Sequence, residues 1–341
     1  MAPPRSPYRA AVAVALAGAM AALTLVVIPA AVAAFSGRAE NPGNVVTAVP
    51  DFVAPVITAT AIGKAQGGAT GFVKQGGAYF VYANVAADTG NPASGIASVK
   101  ANVEAVTSGQ TAVTLTAGSY TAGGVSFNYR SAELAATNPL AAGSKSFNVT
   151  AADVAGNART LEGSVTADNT PPQATDVQTT NAGTNGQAAQ GDTIIFSVSE
   201  PLEPESILAG WDGTTATNVV VRIFDNGLLG LGNDALQVYD STNTTLLPLG
   251  TVDLGRADYA TGLLGGAITF GVGATASKMT MSGNSVTIVL GTYAPAGLAI
   301  RGTALGNGTM TWTPVATPFD RAANAMSTTA ATETGTADKD F

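Results

Sequence analysis

The sequence predicts an all-β protein: two tandem β-sandwiches, the second enlarged by an insertion, preceded by an N-terminal signal or anchor helix. Three observations point there. Short apolar–polar alternations separated by turn residues fill most of the chain beyond residue 55. Forty glycines and 17 prolines in a chain rich in Thr, Val and Ala suit many short strands joined by frequent turns. Stretches of the first half also recur in the second, at an offset that grows along the chain.

The N-terminus comes first. Residues 1–9 carry Arg5 and Arg9 and no acid, and residues 10–34 carry no charge. Pro29 followed by Ala31-Val-Ala33 supplies the small-residue pattern of a signal-peptidase site, so residues 1–34 read as a leader cleaved after Ala33 or Ala34. The apolar run is long enough to cross a bilayer, which leaves an uncleaved anchor as the alternative, with residues 10–34 as the membrane contact. Both readings place the rest outside the cytoplasm, secreted or at the cell surface. No Cys follows the run to take a lipid, and Ala337-Asp-Lys-Asp-Phe341 shows neither an apolar tail nor a sorting motif. Residues 35–54 read as a flexible polar linker. Within them and just before, Ala34-Phe-Ser-Gly-Arg-Ala-Glu-Asn-Pro-Gly-Asn44 resembles the start of exported bacterial matrix proteins processed by a specialised signal peptidase.

The first unit, residues 55–168, shows seven strand-like runs: 56–62, 78–85, 99–105, 111–116, 125–129, 146–151 and 160–167. Seven short alternating strands in about 110 residues indicate an immunoglobulin-like sandwich. Its last two runs flank Asp153-Val-Ala-Gly-Asn157, where Asp and Asn bond nearby backbone and Gly supplies positive φ. The prolines of Asp168-Asn-Thr-Pro-Pro172 then end the strand, because they cannot donate to a ladder, and residues 169–173 read as a Pro-rich hinge.

The second unit, residues 174–341, echoes the first. Gln75-Gly-Gly-Ala-Tyr-Phe-Val-Tyr82 matches Gln190-Gly-Asp-Thr-Ile-Ile-Phe-Ser197 at an offset of 190 − 75 = 115. Asp153-Val-Ala-Gly-Asn157 matches Asp320-Arg-Ala-Ala-Asn324 at 320 − 153 = 167, so about 52 extra residues lie inside the second unit, with an insertion covering about 227–266. Further strands are expected at 218–224, 235–239, 267–270, 278–281, 285–290 and 309–313.

Val149-Thr-Ala-Ala-Asp-Val-Ala-Gly-Asn157 and Val165-Thr-Ala-Asp-Asn-Thr-Pro-Pro172 together resemble the ending of bacterial Ig-like and fibronectin-like repeats of exported surface proteins. Glu200-Pro-Leu-Glu-Pro-Glu-Ser-Ile-Leu208 is similar to a segment of the same repeats. The resemblance implies tandem modules for adhesion or structural spacing, with a cell-surface protein or polysaccharide as partner.

Composition narrows the chemistry. The chain has no Cys and no His, which excludes thiol nucleophiles, disulfides, Ser-His mechanisms and His-ligated zinc. Without the leader its charge is 13 − 23 = −10, which argues against a nucleic-acid groove. Gly271-Val-Gly-Ala-Thr-Ala276 matches a dinucleotide fingerprint, but the residues after it alternate as a strand where that fingerprint needs a helix. Asp153, Asn157, Asp168 and Asn169 are the metal candidates: hard oxygens at a hairpin end and a hinge can collect calcium. Turn-building is the favoured use of the same atoms. Glu200, Glu203 and Glu205, with Asp212, form an acidic cluster near Trp211, and carboxylate pairs run glycoside hydrolysis when a cleft holds the sugar. Trp211 and Trp312 read as core residues.

The expected function is therefore a non-enzymatic exported surface or matrix protein, with no catalytic residues and no cofactor beyond calcium. Two alternatives remain: a fibre-forming biofilm-matrix-type subunit whose residues 34–50 donate a strand, and a carboxylate-dependent polysaccharide-active enzyme centred on residues 200–212.

Overall fold

The computed structural model describes residues 51–90, 92–226, 232–262 and 266–341; the leader and most of the linker lie outside them. Among the described residues no helix is long and apolar enough to cross a membrane. The described residues are β-structure apart from one helical turn at Pro204–Ile207, so the all-β class holds.

Nine strands precede the Pro-Pro pair: β1 (Ile57–Lys64), β2 (Phe72–Val73), β3 (Ala78–Val85), β4 (Ile96–Asn102), β5 (Val113–Ala122), β6 (Val125–Ser131), β7 (Leu134–Ala135), β8 (Gly143–Asp153) and β9 (Ala158–Ala167). Their hydrogen-bonded order is β1-β3-β6-β5-β4-β8-β9-β2, with β7 beside β3 and β2 parallel to β9. β1 packs across onto β9, so the path folds over on itself in a sandwich-like way. Alternation explains what lies inside. Tyr79, Val81, Ala83 and Val85 of β3 face Phe147, Val149 and Ala151 of β8 within one buried cluster, each large side chain contributing about 1.5–3 kcal/mol.

Thirteen strands follow: β10 (Ala174–Thr180), β11 (Thr193–Val198), β12 (Thr217–Asp225), β13 (Ala235–Asp240), β14 (Thr251–Asp253), β15 (Ala260–Thr261), β16 (Gly266–Phe270), β17 (Ser277–Ser282), β18 (Ser285–Val289), β19 (Tyr293–Ala296), β20 (Ile300–Arg301), β21 (Thr311–Thr313) and β22 (Ala331–Thr332). The main order is β10-β11-β18-β17-β12-β13-β14-β21-β22, and β10 packs against β21 and β22. A second buried cluster runs from Val177 to Phe341. Trp312 is fully buried there, stacked edge-on against Phe196 at 5.0 Å, with its Nε1 donating to Leu249 O at 2.6 Å. Trp211 is buried too, so both tryptophans serve the core as expected.

The two halves share local details. β1 against β3 and β10 against β11 each carry a register shift, at Ile57/Ala59 and at Ala174/Asp176. Both shifts begin six residues beyond an aspartate, Asp51 and Asp168 (57 − 51 = 174 − 168 = 6).

Two strands form inside the region expected to be an insertion, one of them where 235–239 was expected. β13 and β14 fall within residues 227–266 yet join the main sheet, because Leu236, Val238 and Val252 are buried in its core. Residues 99–105 are also only half strand. β4 ends at Asn102, and Val103–Thr107 closes a turn in which Thr107 N donates to Val103 O at 2.8 Å, although Val103 and Val106 stay fully buried.

Candidate functional site

The residues around the Pro-Pro pair form a fixed joint. Residues 51–341 make one compact unit, and an ion pair crosses between its two cores. Lys64, the last residue of β1, places Nζ 2.6 Å from Glu203 Oε2, just before the helical turn. Both residues are only 4% exposed. The bond network is closed: Lys64 Nζ also donates to Ala69 O at 3.1 Å, and Ala69 N donates to Glu203 Oε2 at 2.9 Å. Removing charges from water is costly, so such a pair is retained only with good geometry and added hydrogen bonds, both of which are present.

Other contacts pin the same joint. Lys74 Nζ donates to Ala323 O at 2.5 Å, and Arg321 sits over the Phe72 ring at 5.9 Å. Asn169 accepts from Gln75 N and donates to Leu140 O, each at 2.7 Å, while Asp168 N donates to Val73 O at 2.9 Å. Segment 169–173, expected as a hinge, is thus tied to the first half at its start. An open cleft of about 580 Å³ lies beside the pair, lined by Gly67, Gly68, Thr121, Glu205, Trp211 and Arg321 among others.

Gly68 shows how tightly the joint is built. Its φ is +75°, and a Cβ there would overlap the Glu203 carboxyl group. Gly68→Ala is therefore expected to displace Glu203 and lower stability by about 1–2 kcal/mol from the left-handed backbone alone, measured by urea unfolding.

The four metal candidates do not form one site. Asp153 and Asn157 meet each other: Asp153 Oδ1 accepts Asn157 N at 2.7 Å, its Oδ2 accepts Asn157 Nδ2 at 2.8 Å, and the same Nδ2 reaches Asp51 O at 2.8 Å. Asp320 and Asn324 repeat the arrangement at 2.8, 2.8 and 2.9 Å, the last to Asp168 O. Turn-building thus occupies these oxygens in both halves, and Asn169 is held by the first half.

Two acidic triads surround these turns at matching places: Asp51, Asp88 and Asp153 in the first half, and Asp168, Glu200 and Asp320 in the second. In each, one acid precedes the first strand, one follows the strand paired with it, and one opens the closing turn. They differ in charge compensation. Asp51 accepts from Val53 N and Ser94 N, Asp88 accepts from Gly90 N and Gly95 N, and hydrogen bonding, from Ser94 foremost, holds the Asp51 carboxyl below its usual range. In the joint triad, burial and then the charges of Asp168 and Asp320 push Glu200 up to about 7, and burial raises Asp320. Sequence reasoning missed Asp51, Asp88 and Lys64. The signal for Asp51 was its six-residue spacing to the first strand, equal to that of Asp168.

The remaining candidates separate. Glu203 is held by Lys64, Glu200 belongs to the joint triad, and Asp212 caps its own turn by accepting from Thr215 N and Oγ1, both at 2.7 Å. After Gly271 the chain enters β17 with no helix, so the dinucleotide fingerprint lacks the helix N-terminus it needs. No protein-family model matches the chain, and no curated protein matches it.

Proposed function

We propose that this chain is a non-enzymatic exported bacterial surface or matrix protein, in which two Ig-like modules are held at a fixed mutual orientation for adhesion or structural spacing. The observation that carries the reading is the buried Lys64–Glu203 pair across the joint, closed by Ala69. A spacer needs a stiff connection, and a buried, fully bonded ion pair gives orientational specificity rather than affinity. The shared register shift and the twice-used Asp–Asn turn support two copies of one module. The leader predicted for residues 1–34 supports export. The partner class is a cell-surface protein or polysaccharide.

The test is adhesion. Cells that lose this protein should lose surface attachment or matrix cohesion, and wild-type protein should restore it while a joint-loosened variant restores less. Unchanged attachment after its loss would overturn the proposal. The carboxylate-enzyme reading is weakened because Glu203 has its charge matched by Lys64. The fibre reading depends on residues 34–50, outside the described ones.

Calcium belongs to the same reading, at the joint triad of Asp168, Glu200 and Asp320, where three carboxylates gather. Chelation should lower the melting temperature of wild type, and Glu200→Gln should remove the share due to this triad. A chelator response identical in wild type and Glu200→Gln would rule the joint site out.

A further inference from the structure

The outer side of β3, β6 and β5 carries side chains that the core does not use. Aromatic residues are only 6% of the chain, yet Phe80, Tyr82, Tyr120 and Phe127 belong to neither buried cluster. They gather on this sheet, where the Tyr82 ring lies 6.2 Å from Phe80 and 5.3 Å from Phe127. Tyr82 and Phe127 are buried, while Phe80 and Tyr120 are half-buried. Single apolar groups at a surface are ordinary, but a contiguous aromatic patch marks a contact surface.

Arg130 is the centre of the patch. Strand pairing sets it opposite Tyr82 of β3 on one side and Thr116 of β5 on the other. Its Cζ lies 4.4 Å from the Phe80 ring centroid and 4.5 Å from that of Tyr120. Tyr120 can lie back along β5 because Gly118 has no side chain; a Cβ there would stand 2.6 Å from the Tyr120 hydroxyl oxygen. Stacking on two rings holds the guanidinium plane and leaves its donors at the edge. None of those donors is used. Nε is buried with no acceptor, no described residue accepts a hydrogen bond from the other two nitrogens, and no described acid pairs with the charge. Buried polar atoms are almost always bonded. A guanidinium with no acceptor at all, in a chain of net charge −8, points to an acceptor that arrives from outside.

We propose that Arg130, flanked by Phe80 and Tyr120, binds the carboxylate of an acidic polysaccharide built from uronic-acid sugars. The inference rests on the adhesion reading above and selects polysaccharide over protein as the partner. The planar fork matches a carboxylate with two parallel hydrogen bonds. A sugar ring that carries this carboxylate has CH faces suited to aromatic rings, and its hydroxyls suit Tyr120 Oη and the exposed Thr116 beside Arg130. A protein partner instead anchors through large side chains in desolvated pockets, whereas the centre of this patch is a charge.

The test is calorimetric titration of the full-length protein with polygalacturonate, dextran and poly-glutamate. Salt at about 0.15 M, where the Debye length is about 8 Å, screens the overall negative charge of the chain. Wild type should bind polygalacturonate and neither of the other two. Arg130→Gln should weaken that binding about tenfold or more, the strength of hydrogen bonds to a charged group. Arg130→Lys keeps the charge but loses the fork and the stacking, so it should weaken binding as well, and it decides alone if Arg130→Gln does not fold. Wild type that ignores polygalacturonate, variants that bind it as wild type does, or dextran or poly-glutamate bound as tightly, overturns the proposal. Binding that depends on Arg130, in cells whose attachment survives loss of the protein, supports the site and overturns the adhesion reading. Attachment that is lost with the protein and fully restored by Arg130→Gln overturns the site and leaves the adhesion reading standing.

Discussion

Lys64→Met destabilises the protein by about 3–5 kcal/mol and loosens the joint, because it leaves the Glu203 carboxylate buried without its counter-charge. The Met side chain fills much of the space of the Lys stem, so packing loss is small and the change isolates the charge. Glu203→Gln in the same chain should recover a large part of the loss. A neutral amide oxygen still accepts from Ala69 N, which sits 2.9 Å from Glu203 Oε2, and no charge remains buried. Urea unfolding of wild type, both single variants and the double variant gives the coupling directly, and residues in contact are expected to couple by 0.5–3 kcal/mol. Additive single effects would mean that the pair is incidental.

The protein is more stable at pH 5 than at pH 8. Asp340 is 1% exposed, and Glu333 and Asp338 face it, while Thr179 Oγ1 and Tyr259 Oη donate to it at 3.3 Å each. Burial first, then the charge of Glu333, pushes its carboxyl up to about 7 from 3.8. The direction follows from linkage. Between these values the unfolded chain has released the proton while the folded chain retains it, so the unfolded state binds fewer protons and stability falls as pH rises. The contribution is complete below about pH 4, is lost up to about pH 7, and amounts to about 4 kcal/mol at most. Asp340→Asn removes the titrating group and should flatten this part of the profile. Thermal melts from pH 4.5 to 8 on both proteins check it, and parallel profiles would refute the role of Asp340.

Much of the fold was legible because period-2 alternation follows burial. The run 78–85 is a strand with those bounds, and Tyr79, Val81, Ala83 and Val85 are buried on one face, with Tyr82 buried on the other. The Asp–Asn turns were legible for a local reason: the bonds span four residues and need only those two side chains. β10 was not recognised because Val177 is its only large apolar residue, and its pairing with β11 supplies the rest. β14 was not recognised because it is three residues long with a single buried apolar side chain, Val252, whereas β13 lies where 235–239 was expected. The ion pair across the joint escaped. Lys64 and Glu203 lie 139 residues apart, and no local pattern pairs two single charges across that distance.

The most direct test of a fixed joint uses the absence of cysteine from the chain. Val125→Cys and Val315→Cys, at two exposed positions in different halves, give two unique spin-label sites for pulsed distance measurement in solution. A fixed joint predicts one narrow distance distribution in the otherwise wild-type protein, broadened by Lys64→Met. A broad distribution that Lys64→Met leaves unchanged would contradict it.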